Sequence, residues 1–214
     1  MVRLIHMILA IVMRLVSLIE NFINEVLKVS LALFIIVDPI GNVPIFISLT
    51  EGMSLEQRRK AFRTATIVSL ILLLVFALLG QQILEVFRIS PQSFMVAGGV
   101  LLVVIAIKIL VFGGWEERKV LPESIGAVPI ATPLLVGPGA ITTTIVMLQT
   151  FGLPATLVSA LIIFFTIWLV LRFIERIHKI LGTTGSAVIA RIMAIFIAAI
   201  AVGFVIDGIK YYFP

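Results

Sequence analysis

The chain contains no cysteine. That excludes a disulfide framework, Cys-ligated zinc, iron–sulfur clusters and thiol–disulfide electron transfer together. Charge is also scarce. Only 13% of the 214 residues are Asp, Glu, Lys or Arg, while 61% are hydrophobic, against about 25% and 45–50% in an ordinary soluble domain. A chain of this length cannot hide so much apolar surface from water, so a soluble globular protein is excluded. A disordered chain is excluded by the same composition. His6 and His178, the two histidines, are too far apart in sequence to suggest a metal pair. No GxxxxGK[ST] or HExxH pattern occurs, which removes the P-loop and zincin readings. No cofactor is expected, and the chain is not read as an enzyme.

What is present is long apolar runs. A membrane helix needs about 20 such residues. Thr64 to Leu84 and Ile89 to Ile107 carry no charge, and Ser124 to Leu171 is an uncharged stretch long enough for two spans. A turn at Thr150-Phe151-Gly152-Leu153-Pro154 divides that stretch. Val29 to Thr50 is interrupted only by Asp38, and Ser186 to Ile206 only by Arg191. Six spans follow, near 27–50, 64–84, 91–112, 127–149, 154–172 and 186–208. The expected fold is an all-α membrane protein, multi-pass in the cell membrane.

The net charge of +5 and the pI near 10.0 fit excess Lys and Arg in cytoplasmic loops better than nucleic-acid binding. Arg58, Arg59, Lys60, Arg63, Arg118, Lys119, Arg172, Arg176 and Lys179 follow the odd-numbered spans. They outnumber Arg3, Arg14, Lys28, Arg88 and Lys210 on the other side. Both termini are therefore expected outside. Residues 1–25 read as an amphipathic N-terminal extension lying on the membrane, with Arg3, Arg14, Glu20 and Glu25 toward water. A signal-peptide core is the other reading of Leu4 to Met13, but no small-residue cleavage site follows cleanly.

The two halves repeat. Shifting Asp38-Pro39-Ile40-Gly41-Asn42-Val43-Pro44 by 94 residues places Pro39 on Pro133, Pro44 on Pro138 and Asp38 on Thr132. Residues 26–112 and 127–214 are then two three-helix repeats joined by a cytoplasmic linker, 113–126. Three is odd, so the repeats must insert with opposite topology, with the first and fourth helices broken. Each Asp/Thr-Pro pair is the N-cap and N1 pattern of a restarted helix. A half-helix N-terminus inside a membrane carries partial positive charge and spare N–H donors. Paired interrupted segments in inverted halves point to a transporter binding site. The expected substrate-binding residues are Asp38, Gly41, Asn42, Thr132, Gly137, Gly139, Thr142 and Thr143. The glycines let a ligand approach the backbone, and Asn42 and the threonines supply donors and acceptors. Asp38 is an intramembrane charge and so a functional candidate by default, for contact with a ligand or for carrying a coupling proton; its bland reading is a helix cap. Lys108 reads as snorkelling, Arg191 as doing the same or reaching anionic lipid heads, and Asp207 as an interface residue. Gly98-Gly99 reads as close helix packing.

VDPIGNVPIF at 37–46 and ATPLLVGPGAITTTIV at 131–146 resemble the two signature segments of the MarC family, and GFVIDGI at 203–209 is similar to that family's last span. The resemblance runs from about residue 27 to the end. It implies a six-span inner-membrane protein and uptake or exchange of small neutral amino acids such as alanine, glycine and serine, coupled to protons. The partners implied are a small-molecule substrate and membrane lipid. A channel, or a transporter of another small solute, is the competing reading.

Overall fold

The computed structural model describes residues 2–112 and 126–213. The linker 113–126, with Trp115, Arg118 and Lys119, lies outside the described residues except for Gly126. Among them every regular element is helical. Helix α1 spans Val2–Val37, α2 Val43–Leu49, α3 Leu55–Val86 and α4 Pro91–Phe112. A π-helix follows at Gly126–Leu135, then α5 at Pro138–Arg172 and α6 at Ile174–Lys210. Helices α3, α4, α5 and α6 are long and apolar enough to cross a membrane. Their outer faces expose Ile71, Val104, Phe165 and Ile195, the surface expected of helices solvated by lipid rather than water.

The extension and the start of the first expected span are one helix. Residues 11–24 of α1 are exposed on all sides, and burial begins at Val26. From there Val29, Leu33 and Val37 enter the main core at helical spacing. Thr150–Pro154 breaks α5 as expected. Gly152 takes φ 79° there, a conformation glycine adopts without steric cost, and Pro154 falls in the first turn of the second part, where a missing N–H costs nothing. The loop expected after this part is instead helical. α6 starts at Ile174, and its interruption is Gly182, φ 63°. Ile174 and Ile177, three residues apart, pack on the core and draw the charged segment into a helix. Likewise α3 begins well before the apolar run, at a capping box. Ser54 Oγ accepts the Gln57 N–H at 3.2 Å and Gln57 Oε1 accepts the Ser54 N–H at 2.9 Å.

The helices pair in a regular scheme. The buried end of α1 packs on the second part of α5, where Ser159 Oγ donates to the Val26 carbonyl at 3.0 Å. The π-helix packs on α3, where Ser69 Oγ donates to the Ala131 carbonyl at 3.4 Å. α2 packs on α6, which the turn before α2 meets at Gly41 and Ala190, and the first part of α5 packs on α4 through Thr142 and Gly98. α4 and α6 run antiparallel in close contact. A Cβ on Gly99 would lie 2.6 Å from the Ala201 carbonyl oxygen, and one on Gly208 2.6 Å from Val96 Cγ2. Gly98-Gly99 is therefore close packing, as the sequence suggested. Beyond them the Tyr212 hydroxyl hydrogen-bonds Ser90 and Ser93, which holds it below the ordinary tyrosine range.

Candidate substrate site at the two helix breaks

Both breaks form, but not by the caps expected. Asp38 does not start α2. It ends α1 in the left-handed region, at φ 43°, a conformation an L-residue other than glycine holds at a cost of about 1 kcal/mol or more. Its N–H still closes the last turn on the Phe34 carbonyl at 2.9 Å. Pro39 then removes the next N–H. The chain turns through Asp38 Oδ1, which accepts the Gly41 N–H at 3.0 Å, while Asn42 Nδ2 donates to the Val37 carbonyl at 3.0 Å. The backbone groups freed by the break are thus met by two side chains of the motif itself, as a buried break requires. α2 restarts at Val43 with Pro44 in its first turn.

At the second break Thr132-Pro133 lies inside the π-helix rather than at a helix start. The π-helix closes on a Val136 N–H to Ala131 carbonyl bond of 2.9 Å. α5 restarts at Pro138 behind Gly137, whose backbone is extended and which offers no side-chain cap. The matched feature of the two breaks is therefore the second proline of each pair, Pro44 and Pro138, in the first turn of the restarted helix.

The breaks meet at one partly open cavity of about 40 Å³. Asp38, Gly41 and Asn42 line it from the first break, and Gly137, Pro138, Gly139 and Ala140 from the second. Asp38 is 5% exposed. Gly41 is its only hydrogen-bond donor among the described residues, so the second carboxylate oxygen keeps its acceptor capacity. Across the cavity, the N–H groups of Gly139 and Ala140 belong to the first turn of α5, where no intrahelical acceptor exists. One cavity thus presents a carboxylate and a helix N-terminus. Gly139 packs closely here: a Cβ would lie 2.7 Å from Leu102 Cδ2, so that side chain would have to shift.

Five of the eight expected residues, Asp38, Gly41, Asn42, Gly137 and Gly139, line this cavity. Three do not. Thr132 is half-buried in the π-helix. Thr142 is buried against Gly98. Thr143 is fully buried with no partner for Oγ1 among the described residues. The remaining walls are apolar, and those from outside the break segments are Leu102, Ile105 and Ile109 of α4 and Ala190 and Ile197 of α6. Sequence reasoning missed them. The spacing of the α4 residues marks one helix face, but in a helix apolar all round nothing distinguishes that face from the one toward lipid. Arg191 and Asp207 are exposed and take no part in the cavity.

The model of the MarC family of integral membrane proteins matches residues 23–213. The chain belongs to the MarC family. Its MarC relatives include a UPF0056 membrane protein of Archaeoglobus fulgidus, 40% identical over 83% of this chain and 88% of the relative. The UPF0056 membrane protein YhcE of Escherichia coli is 36% identical, over 87% and 93%, and a UPF0056 membrane protein of Pyrococcus abyssi is 32% identical, over 87% and 96%. No solved structure matches this MarC chain. The MarC match begins at residue 23, close to where α1 becomes buried. It covers both breaks.

Proposed function

We propose that this integral membrane protein is a secondary transporter of small neutral amino acids, of the alanine, glycine and serine class, coupled to protons. The observation that carries the reading is the pairing of opposite electrostatics in one cavity. Asp38 offers a carboxylate to an ammonium, and the start of α5, equivalent to about half a positive charge, offers N–H donors to a carboxylate. A zwitterion satisfies both ends at once, and a simple cation or anion satisfies one. The cavity volume of about 40 Å³ holds a few waters at most. Even small cargo therefore needs the surrounding helices to part, and bulky side chains are disfavoured.

Alternating access comes from rocking two inverted three-helix repeats, 26–112 and 127–214, about this cavity. The helix pairings support that symmetry. Exchanging the halves turns the α1–α5 pairing into the π-helix–α3 pairing. It turns the α2–α6 pairing into that of the first part of α5 with α4, and maps the antiparallel α4–α6 pair onto itself. The charge distribution supports a cell-membrane orientation with both termini outside.

Binding tests this directly. Labelled alanine should bind the detergent-solubilised protein saturably. Propionate, which lacks the ammonium, and ethylamine, which lacks the carboxylate, should each compete at least about tenfold more weakly, because each leaves one polar group of the site unpaired. Equal competition by either analogue, or no alanine binding by folded protein, would overturn the zwitterion reading.

A further inference from the structure

A second, larger cavity of about 620 Å³ opens where the start of α3 faces the junction of α5 and α6. Arginines reach it from both sides: Arg58, Arg59 and Arg63 on α3, and Arg172 and Arg176 at the junction. The one acid in its lining is Glu175, and Arg58 already engages it, at 3.0 Å. Arg58 also donates to the Thr50 carbonyl at 3.2 Å. That leaves Arg59, Arg63 and Arg172 without an acidic partner among the described residues, and like charges so gathered repel. Arg58 Nε is buried with no acceptor, and such an unmet charged donor is costly unless something supplies an oxygen.

The position of the cavity says what kind of anion. Thr66 and Trp168 line it on the side of the uncharged stretches of α3 and α5, and Phe62 lines it between Arg59 and Arg63. Trp168 is 46% exposed and stacks on Phe165, itself 64% exposed. These rings lie on the outward face of a membrane-spanning helix, and tryptophan marks headgroup depth. Clustered charge with a lipid-facing tryptophan one helical turn from Arg172 matches an amphiphile standing in the bilayer better than a soluble ion. We propose that this cavity is a binding site for the phosphate headgroup of an anionic phospholipid. Arg59, Arg63 and Arg172 contact the phosphate oxygens, and Phe62 and Trp168 seat the glycerol and the upper acyl chain. A lipid so held ties the start of α3 to the α5–α6 junction, which belong to different halves of the chain.

Trp168 is also the reporter. The chain has two tryptophans, so a Trp115→Phe background isolates it. Reconstituted in nanodiscs, Trp168 fluorescence should be quenched by brominated phosphatidylglycerol at about tenfold lower mole fraction than by brominated phosphatidylcholine, since several arginines add their attraction for the anionic headgroup. The preference should fall close to one in R59Q/R63Q/R172Q and largely persist in R59K/R63K/R172K, with melting curves in detergent checking that each variant is folded. Equal quenching by the two lipids in the unsubstituted background, which needs no arginine variant, would overturn the proposal, as would a preference unchanged by the glutamine variant. Inorganic phosphate is the soluble source of the same chemistry. Saturable phosphate binding in detergent, together with equal quenching by the two lipids, would assign the cavity to a free anion and also overturn the lipid site.

Discussion

Asp38 and Gly41 close the first helix break on each other: Asp38 Oδ1 accepts the Gly41 N–H at 3.0 Å from a backbone held at φ 43°. A Cβ on Gly41 would run into that carboxylate and would lie 2.8 Å from the Ala190 Cβ. One residue thus shapes the turn and also lines the cavity. Its structural and binding roles are separable because asparagine shares the first but not the charge.

Asp38→Asn keeps an oxygen for the Gly41 N–H and a side chain tolerant of the left-handed region, so its melting temperature in detergent should stay near that of the wild type. Asp38→Ala leaves a buried N–H unmet, at a cost of about 1–3 kcal/mol, and strains the turn. It should melt clearly lower. Equal melting of the two variants would show that the carboxylate does not hold the break together.

Close packing of α4 on the first part of α5 is equally testable. A methyl on Gly98 would overlap the Thr142 Cγ2 methyl, so Gly98→Ala should destabilise by about 1–3 kcal/mol, the usual cost of overpacking. Thr142→Ser removes that methyl and should recover a large part of the loss in the double variant, measured by thermal unfolding. Additive losses would mean that the two positions are not in contact.

The N-terminal extension adds little to the fold. Residues 11–24 are exposed on every side, and the family match starts at residue 23. Deleting residues 2–22 should leave the unfolding temperature and alanine binding unchanged in detergent. A large drop in either would give α1 a packing role that its exposure does not suggest.

The breaks were legible in the sequence because proline and glycine act locally. Pro44, Pro138 and Gly152 each mark an interruption where one forms. The caps were misread for the same reason. Asp-Pro and Thr-Pro have the local pattern of a helix start, but Asp38 ends a helix through a bond three residues ahead, and Thr132 sits in a π-helix on whose packing against α3 the local pattern is silent. The helical stretch 174–181 was invisible because its charges resemble a loop, and only the packing of Ile174 and Ile177 on the core organises it. Of the candidate site, the residues at the breaks were readable. The walls from α4 and α6 were not, since they depend on how helices uniform in composition are turned toward each other.

The central claim is that the cavity between the breaks carries a small zwitterion across the membrane. Counterflow of labelled alanine in proteoliposomes, wild type beside Asp38→Asn, tests it most directly. The account predicts saturable counterflow, accelerated by unlabelled alanine on the far side. In Asp38→Asn it should be reduced about tenfold or more, as a charge-assisted contact to the ammonium becomes a neutral one. Flux that neither saturates nor responds to alanine on the far side would indicate a channel. Absence of alanine, glycine or serine counterflow from vesicles holding folded protein would contradict the account.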